Sequence, residues 1–307
     1  MKIEATAFYV PEKVINNETL EASLQLTPGW IATRTGIQER RVVREETATE
    51  MAINVAETLL KQSGIDASTL DFIIVATMTP DTLTPGIAQT VQGQIHARQA
   101  FAWDLNASYA GFVFGLSMAN ALLKTGRKRG LIIGAEVMSR LVNWEDANTA
   151  ILFGDGAAGV LVSDRSDTQG IIGESLRTFG EEGAVLRTGL TAGSLAMNGQ
   201  AVYRFATRQV PVVIKEAVTQ AQLNVSDIDA FILHQANERI IKSIAKQLKL
   251  PLEKLPMNIA KYGNTGSADI GILLSELVAS GQVQAGDKVV LAGFGGGMSA
   301  AAIVVQL

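Results

Sequence analysis

The chain has 307 residues, 47% of them hydrophobic and 18% charged, which is typical of a soluble α/β protein with one or two core-forming units. Its net charge of −4 gives no general attraction for nucleic acid, and no apolar run is long enough to span a membrane. Cysteine is absent, which excludes disulfides and thiolate metal sites and favours a cytoplasmic location, and two histidines leave little scope for a histidine metal cluster.

The first third of the chain predicts alternating strands and helices. A strand at the N-terminus is followed by a helix over residues 17–24. A second helix is predicted over 49–62, because its apolar residues recur at the spacing of one buried face and Gly64 supplies a C-cap. The β-branched run 70–76 predicts a buried strand, and a helix over 86–97 follows it, with His96 as a solvated or capping residue at its end.

A junction of small residues lies at the centre of the first half. It reads Asp104-Leu105-Asn106-Ala107-Ser108-Tyr109-Ala110-Gly111-Phe112, between a predicted buried strand at 99–103 and an apolar helix at 112–123. Small residues allow a strand to turn sharply into a helix. Enzymes that form acyl intermediates place a nucleophile at such a helix N-terminus.

Two strands of the first half recur in the second half, 158 residues later. Residues 229–234 correspond to 71–76, and residues 289–294 correspond to 131–136. This spacing predicts a duplicated βαβαβ unit with helices on both sheet faces, and the two stacked halves give a five-layer α/β/α/β/α body. We place the halves at residues 1–165 and 166–307, and the polar, glycine-rich stretch 163–195 is predicted to cross between them.

The junction resembles Asp-x-Asn-Ala-x-Cys-x-Gly-Phe, the nucleophile motif of the β-ketoacyl-acyl-carrier-protein synthase III family of thiolase-fold condensing enzymes. The family's cysteine falls on Tyr109. The segments 29–41, 153–157 and 262–267 and the His-Gln-Ala-Asn-x-Arg-Ile string that starts at His234 are also similar to family motifs. The resemblance covers nearly the whole chain and implies a thiolase-like fold, in agreement with the predicted layers.

The resemblance implies a role for each matched residue. His234 and Asn264 would donate hydrogen bonds to a malonyl thioester carbonyl and stabilise the enolate that decarboxylation leaves. Two sets of residues would bind the rest of the thioester. The set implied for the coenzyme A or phosphopantetheine group is Trp30, Arg34, Asn237 and Arg239, and the set implied for the acyl pocket is Thr84, Ser108, Phe294 and Gly296.

Three positions depart from the family pattern. Tyr109 is a phenol with an ordinary pKa near 10, a weak nucleophile without a nearby base, and it is bulky enough to fill part of the acyl cavity. Ala147 replaces an arginine that would sandwich adenine against Trp30, which weakens the case for free coenzyme A. Thr84 replaces a bulky aromatic that a partner subunit often supplies, which suggests a longer or wider acyl chain.

Two features have both a structural and a functional interpretation at this stage. Ser108 is either a packing residue or a substitute nucleophile. The cationic residues of the helix after Asn237 form either a solvated face or a docking strip for an acidic acyl carrier protein. The strip consists of Arg239, Lys242, Lys246 and Lys249, with Ile240, Ile241, Ile244 and Leu248 on another face.

Three functional hypotheses follow from the resemblance. The first is an acyltransferase that condenses an acyl thioester with malonyl carrier protein in fatty-acid or polyketide-type biosynthesis, with catalysis altered or blocked at Tyr109. The second is a family member that has lost acylation and keeps His234 and Asn264 for decarboxylation or non-covalent acyl transfer. The third is a non-catalytic partner subunit of an active synthase. We expect a homodimer that meets acyl carrier protein and thioester substrates, without a resident cofactor, nucleic acid or membrane.

Overall fold

Two β-sheets form the framework of the protein. The computed structural model describes residues 1–165, 170–188 and 195–307. The first sheet contains, in spatial order, β1 (Lys2–Tyr9), β7 (Asp155–Ser163), β6 (Arg129–Val137), β4 (Phe72–Ala76) and β5 (Phe101–Leu105). The second sheet contains, in the described residues, β11 (Ala230–Leu233), β12 (Lys288–Gly295), β13 (Ser299–Gln306) and β8 (Gly170–Thr178). Two short pairs lie outside these sheets: β2 (Val14–Asn16) with β3 (Glu39–Arg41), and β9 (Leu186–Arg187) with β10 (Ala196–Met197).

The helices of the described ranges lie between and outside the sheets. In chain order they are α1 (Asn17–Ser23), α2 (Trp30–Thr35), α3 (Ala48–Ser63), α4 (Ile87–Gln94), α5 (Gly111–Lys124), α6 (Gly199–Gln220), α7 (Glu238–Leu248), α8 (Ile259–Tyr262) and α9 (Asp269–Ala279). None of them is both long and apolar enough to cross a membrane.

Helices and sheets stack in five layers. The first sheet carries α3 and α4 on its outer face, and the second sheet carries α6 and α7 on its own. The central layer consists of α5 and α9, whose apolar residues form one core with strands of both sheets. A helix between two sheets is apolar on all sides, which explains the runs of hydrophobic residues in α5 and α9. The predicted five-layer α/β body is therefore confirmed.

The sheet topology also confirms the 158-residue repeat. Strand β4 pairs in parallel with β6, and β11 pairs in parallel with β12. Each sheet then adds antiparallel strands, because β7 lies between β6 and β1 and β13 lies between β12 and β8. The residues 158 positions after β5 form the short helix α8 instead of a strand, and the chain leaves this helix directly into the segment that carries Asn264.

Several predicted elements need correction. The strand predicted at 99–103 is Phe101–Leu105, and it is an edge strand rather than a buried one, since Phe101 is 41% exposed. The helix predicted over 86–97 ends at Gln94, because His96 adopts a left-handed backbone conformation (φ 58°). The stretch 163–195 contains β8, which its composition did not predict. Residues 179–188 of the stretch contain a 3-10 segment (Gly180–Val185) and β9. Residues 166–169, where the predicted second half starts, and residues 189–194 lie outside the described residues.

Candidate active site

The central junction is a sharp turn between β5 and α5. Ser108 has a left-handed backbone (φ 52°), and residues Ser108–Ala110 form one 3-10 turn that leads into α5. Gly111 fits closely against the first sheet, because a Cβ atom there would lie 2.9 Å from Cβ of Ala76. Asp104, the first residue of the motif, accepts the backbone N–H groups of Ile87 and Ala88 at 2.8 Å and so anchors the start of α4. The strand-to-helix turn predicted from the small residues is confirmed.

Tyr109 lies in this turn with its side chain almost completely buried. Its ring centroid lies 5.1 Å from that of His234 and 6.3 Å from that of Phe153, and the ring also packs on the backbone of Gly295. The hydroxyl group has no hydrogen-bond partner among the described residues. Burial, together with the charges of Glu136 and Asp269, raises the pKa of Tyr109 well above its usual value. The phenol is therefore neutral and chemically isolated.

His234 follows β11 and faces the Tyr109 ring from the second half. Its Nδ1 lies 2.6 Å from Oδ2 of Asp269, the first residue of α9, and both side chains are almost completely buried. The same Oδ2 accepts the backbone N–H of Gln235 at 3.1 Å. Asp269 was not among the residues predicted from the sequence. The only signal available was its position at the start of an apolar helix directly after the Gly-Asn-Thr segment.

Asn264 is held by the loop between α8 and α9. Its side-chain Oδ1 accepts the N–H of Gly266 at 3.0 Å, and its backbone pairs with Phe153 in an isolated β-bridge. The Nδ2 group makes no hydrogen bond within the described residues. Since an amide nitrogen is a donor, Asn264 presents a free, oriented donor to the neighbouring cavity.

A cavity of about 500 Å³ collects most of the predicted site residues. Residues from both halves of the chain line it, and those predicted from the sequence are Trp30, Arg34, Tyr109, His234, Asn237, Arg239, Asn264 and Phe294. Ala147 also lines this cavity. In the described parts of the chain, no cluster of histidine and carboxylate side chains is arranged to hold a metal ion.

A second cavity, of about 980 Å³, lies on the other side of Tyr109. Of the residues predicted for the acyl pocket, Ser108 and Gly296 line this cavity, whereas Phe294 lines the smaller one. Tyr109 and Leu186 line both cavities. Thr84 is exposed and lines neither cavity. Tyr109 therefore forms part of the wall between the two cavities.

The rim of the smaller cavity joins α2 to the start of α7. The Arg34 guanidinium lies 4.4 Å from the ring centroid of Trp30 and covers one face of the indole. Asn237 donates to the carbonyl of Arg34 at 3.2 Å, and Arg239 donates to that of Thr33 at 2.9 Å. The four residues predicted to bind the cofactor-like part of a thioester therefore form one connected surface.

The Ser108 hydroxyl takes part in a structural contact. Its Oγ accepts the N–H of Gly296 at 3.0 Å and lies 3.9 Å from the sulfur of Met78. These contacts, and the orientation of the turn, keep Ser108 on the side of the larger cavity, away from the imidazole of His234. The packing interpretation of Ser108 is thus favoured over the nucleophile interpretation.

Glu136 is a further buried acid that the sequence analysis did not select. Its carboxyl group accepts hydrogen bonds from Thr79 at 2.6 Å and from Ser267 at 2.8 Å, and from the N–H of Met78. Burial outweighs these hydrogen bonds and raises the pKa of Glu136 to about 7. The group lies close enough to Tyr109 to oppose ionisation of the phenol.

The cationic strip lies on the outer face of α7 and just beyond its end. Its four residues are exposed, and the isoleucine and leucine residues on the other face are buried, as predicted. Lys242 pairs with Glu238 at 2.7 Å, which reduces the positive charge at that end. A docking role of the strip stays a prediction.

Comparisons with known proteins agree with this architecture. Residues 103–180 match the sequence profile described as 3-oxoacyl-[acyl-carrier-protein (ACP)] synthase III, and residues 218–307 match that of the synthase III C terminal. A Lactiplantibacillus plantarum protein named beta-ketoacyl-[acyl-carrier-protein] synthase III 2 is 45% identical over 99% of this chain and 98% of its own length.

Solved structures give the same result for the fold. A crystal structure of 3-oxoacyl-[acyl-carrier-protein] synthase III from Aquifex aeolicus superimposes with a TM-score of 0.97 at 37% identity, and a synthase III from Thermus thermophilus does so with a TM-score of 0.96 at 38% identity. Each comparison covers 100% of this chain and 99% of the other. The thiolase-like fold predicted from the sequence is confirmed.

Proposed function

The chain belongs to the β-ketoacyl-acyl-carrier-protein synthase III family, and we propose that it decarboxylates malonyl thioesters at a site where Tyr109 blocks the acyl-enzyme step of condensation. The observation that carries the proposal is the buried, unpartnered phenol of Tyr109 on the cavity that His234 and Asn264 line. The site thus retains the donors for an enolate and lacks the nucleophile for an acyl group.

Tyr109 is a poor nucleophile for physical reasons. Even at its reference pKa, only about one phenol in a thousand is ionised at neutral pH. Burial moves the pKa of Tyr109 further upward, and no base lies within hydrogen-bond distance of the hydroxyl in the described residues. Covalent catalysis requires an adjacent base or a lowered pKa, and Tyr109 has neither.

Malonyl decarboxylation requires donors at the thioester oxygen and no protein nucleophile. When carbon dioxide leaves, the electron pair of the broken carbon–carbon bond forms an enolate, and protonation of the enolate carbon gives an acetyl thioester. The free Nδ2 of Asn264 and the Nε2 of a protonated His234 would donate to the enolate oxygen. Because both side chains are held by buried partners, little reorganisation would be needed.

The substrates we propose are acyl and malonyl thioesters of phosphopantetheine. Arg34 covers one face of Trp30, so an adenine ring would have to stack on the other face, and Ala147 contributes no sandwiching side chain there. These features favour a carrier-protein thioester over free coenzyme A. The proposed partner is an acyl carrier protein that docks beside α7, with the chain acting as a cytoplasmic homodimer of fatty-acid or polyketide-type biosynthesis and with no resident cofactor.

The test measures carbon dioxide release and intact mass on the same protein. We expect slow release from malonyl carrier protein, and a loss of about 10²–10³-fold on Asn264→Ala, the effect of removing one oxyanion donor. We also expect no mass increase after incubation with an acyl thioester. An acyl adduct on Tyr109 or Ser108 would contradict the block. Absence of carbon dioxide release from the unmodified protein would favour the non-catalytic partner subunit.

A further inference from the structure

The contact between His234 and Asp269 determines where the imidazole carries its protons. An ionised carboxylate only accepts hydrogen bonds, so when Asp269 is ionised the Nδ1 of His234 is the donor across the 2.6 Å contact. A neutral imidazole carries one N–H group. With that proton on Nδ1, the Nε2 of a neutral His234 is an acceptor, and Nε2 becomes a donor only when the ring binds a second proton.

We propose that Asp269 is a positioning residue that makes His234 act on the substrate as an imidazolium. This inference rests on the proposed function, because the enolate oxygen needs a donor at Nε2. The negative charge of Asp269 offsets the positive charge of the ring, and both side chains are almost completely buried. A neutral His234 held by Asp269 would instead direct a lone pair at the enolate oxygen and repel it.

The carboxylate of Asp269 depends strongly on this pairing. Its Oδ2 has two partners, Nδ1 of His234 and the N–H of Gln235. Its Oδ1 is buried and has no hydrogen-bond partner in the described ranges. A buried carboxylate with one unsatisfied oxygen is costly unless a cation compensates for its charge, and the imidazolium is the cation in direct contact.

The other charged and titratable groups around His234 do not replace this partner. Tyr109 faces the ring from the central turn and stays neutral. The Glu136 carboxyl group is hydrogen-bonded to Thr79, Ser267 and the N–H of Met78, and not to His234. Phe294 packs edge-on against the imidazole from β12. Arg34 and Arg239 line the same cavity at its rim. Within the described residues, Asp269 is therefore the group that sets the protonation of the ring by direct contact.

Nitrogen NMR tests the assignment without any activity measurement. The chain has two histidines, so histidine labelled with ¹⁵N gives two imidazole signal sets, and His96→Gln assigns them. His96 is exposed and serves as the internal control. We expect Nδ1 of His234 to stay protonated throughout the titration while Nε2 alone gains and loses its proton. A neutral His234 with its proton on Nε2 would overturn the proposal, because Asp269 would then be the proton donor.

Asp269→Asn removes the charge and keeps an oxygen for the N–H of Gln235. In this variant the pH midpoint of the His234 titration should fall by at least one pH unit, while that of His96 stays where it is. A midpoint of His234 that does not move would overturn the proposal. The ¹⁵N measurement on the unmodified protein decides the case even where the variant fails to fold.

The pH profile of carbon dioxide release connects the assignment to the chemistry. With saturating malonyl carrier protein, release should fall about tenfold for each pH unit above the His234 midpoint. The falling limb of Asp269→Asn should move to lower pH together with its NMR midpoint. If the pH dependence of carbon dioxide release does not follow the His234 midpoint measured by NMR, the proposed role of the imidazolium in the reaction is wrong. Absence of any release, with the expected NMR result, would support the role of Asp269 in protonation and reject the proposed decarboxylation.

Discussion

The buried hydroxyl of Tyr109 leads to an unusual stability prediction. Tyr109→Phe removes a polar group that has no partner among the described residues and lies in an almost fully buried position. Leaving a buried polar group unsatisfied costs about 1–3 kcal/mol. The cavity left by one oxygen atom, of about 15 Å³, costs about 0.4 kcal/mol at about 24 cal/mol per Å³. We therefore expect the variant to be more stable by about 1–2 kcal/mol.

Tyr262→Phe is the matched control, because Tyr262 has the same 3% exposure as Tyr109. Its hydroxyl donates to the Glu276 carboxylate at 2.6 Å. A hydrogen bond to a charged group contributes about 1.5–3 kcal/mol, so this control should be destabilised. The two substitutions have the same chemistry and opposite expected signs.

The assay is guanidinium unfolding at one fixed protein concentration, with the midpoint and the slope reported for each variant. If the slope is the same for all variants, their free energies of unfolding can be compared directly. If Tyr109→Phe is less stable than the unmodified protein by more than about 0.5 kcal/mol, the Tyr109 hydroxyl has a hydrogen-bond partner in solution and is not chemically isolated.

Four further predictions follow from the same structure. Tyr109→Cys should form an acyl-enzyme with an acyl thioester and restore condensation, as measured by intact mass and product analysis; failure of both would indicate a site that is no longer functional. Burial raises the pKa of Glu136 to about 7, whereas the pKa in the unfolded chain is near 4.5. This difference stabilises the folded state fully below about pH 4.5, and the stabilisation is lost as the pH rises to about 7. Because Glu136→Gln removes the titrating group, it should reduce the difference in unfolding free energy between these pH values by up to about 3 kcal/mol. Charge reversal of Arg239 and Lys242 should weaken carrier-protein binding and flatten its salt dependence. Charge reversal of Lys61, on the opposite side of the protein, is the control and should leave both unchanged. If the Arg239 and Lys242 variant binds the carrier protein at low salt as tightly as the unmodified protein, the strip is only a solvated face. Light scattering at micromolar concentration should give a dimer, and a monomer would reject the predicted homodimer.

The sequence predicted the frame of the site well because short-range patterns encode it. The turn before α5 follows from small residues, and the position of His234 follows from the end of a buried strand. The four residues at the cavity rim come from two segments about 200 positions apart, and the family resemblance brought them together. The five-layer arrangement, in contrast, followed from the 158-residue repeat without the family resemblance.

Contacts that depend on the packing of both halves were not predictable. Asp269 lies 35 residues after His234. Nothing in this spacing indicates that the first residue of α9 contacts the Nδ1 of His234. Glu136 lies in β6, where nothing in the local sequence distinguishes it from other acidic residues. Its buried environment depends on the second half of the chain, from which Ser267 donates a hydrogen bond to it. Strand β8 was not predicted because its polar residues obscure the alternation of apolar and polar positions that is typical of a strand. Its antiparallel pairing with β13 is the long-range contact that makes this segment a strand.

Under the proposed function, the position of Tyr109 matters as well as its chemistry. Under the proposed function, the smaller cavity would bind the thioester and the larger one the acyl chain, and a thiol at this position would be small enough to let one substrate occupy both. The phenol ring, packed against Phe153 and the backbone of Gly295, instead contributes to the wall between cavities of about 500 and 980 Å³. An acyl group that enters from the Trp30 side would then have to stop at the ring. A malonyl group is short and, under the proposed function, would need only the near cavity, which Asn264 and His234 line. The tyrosine that would close the acyl route would then leave the decarboxylation route open.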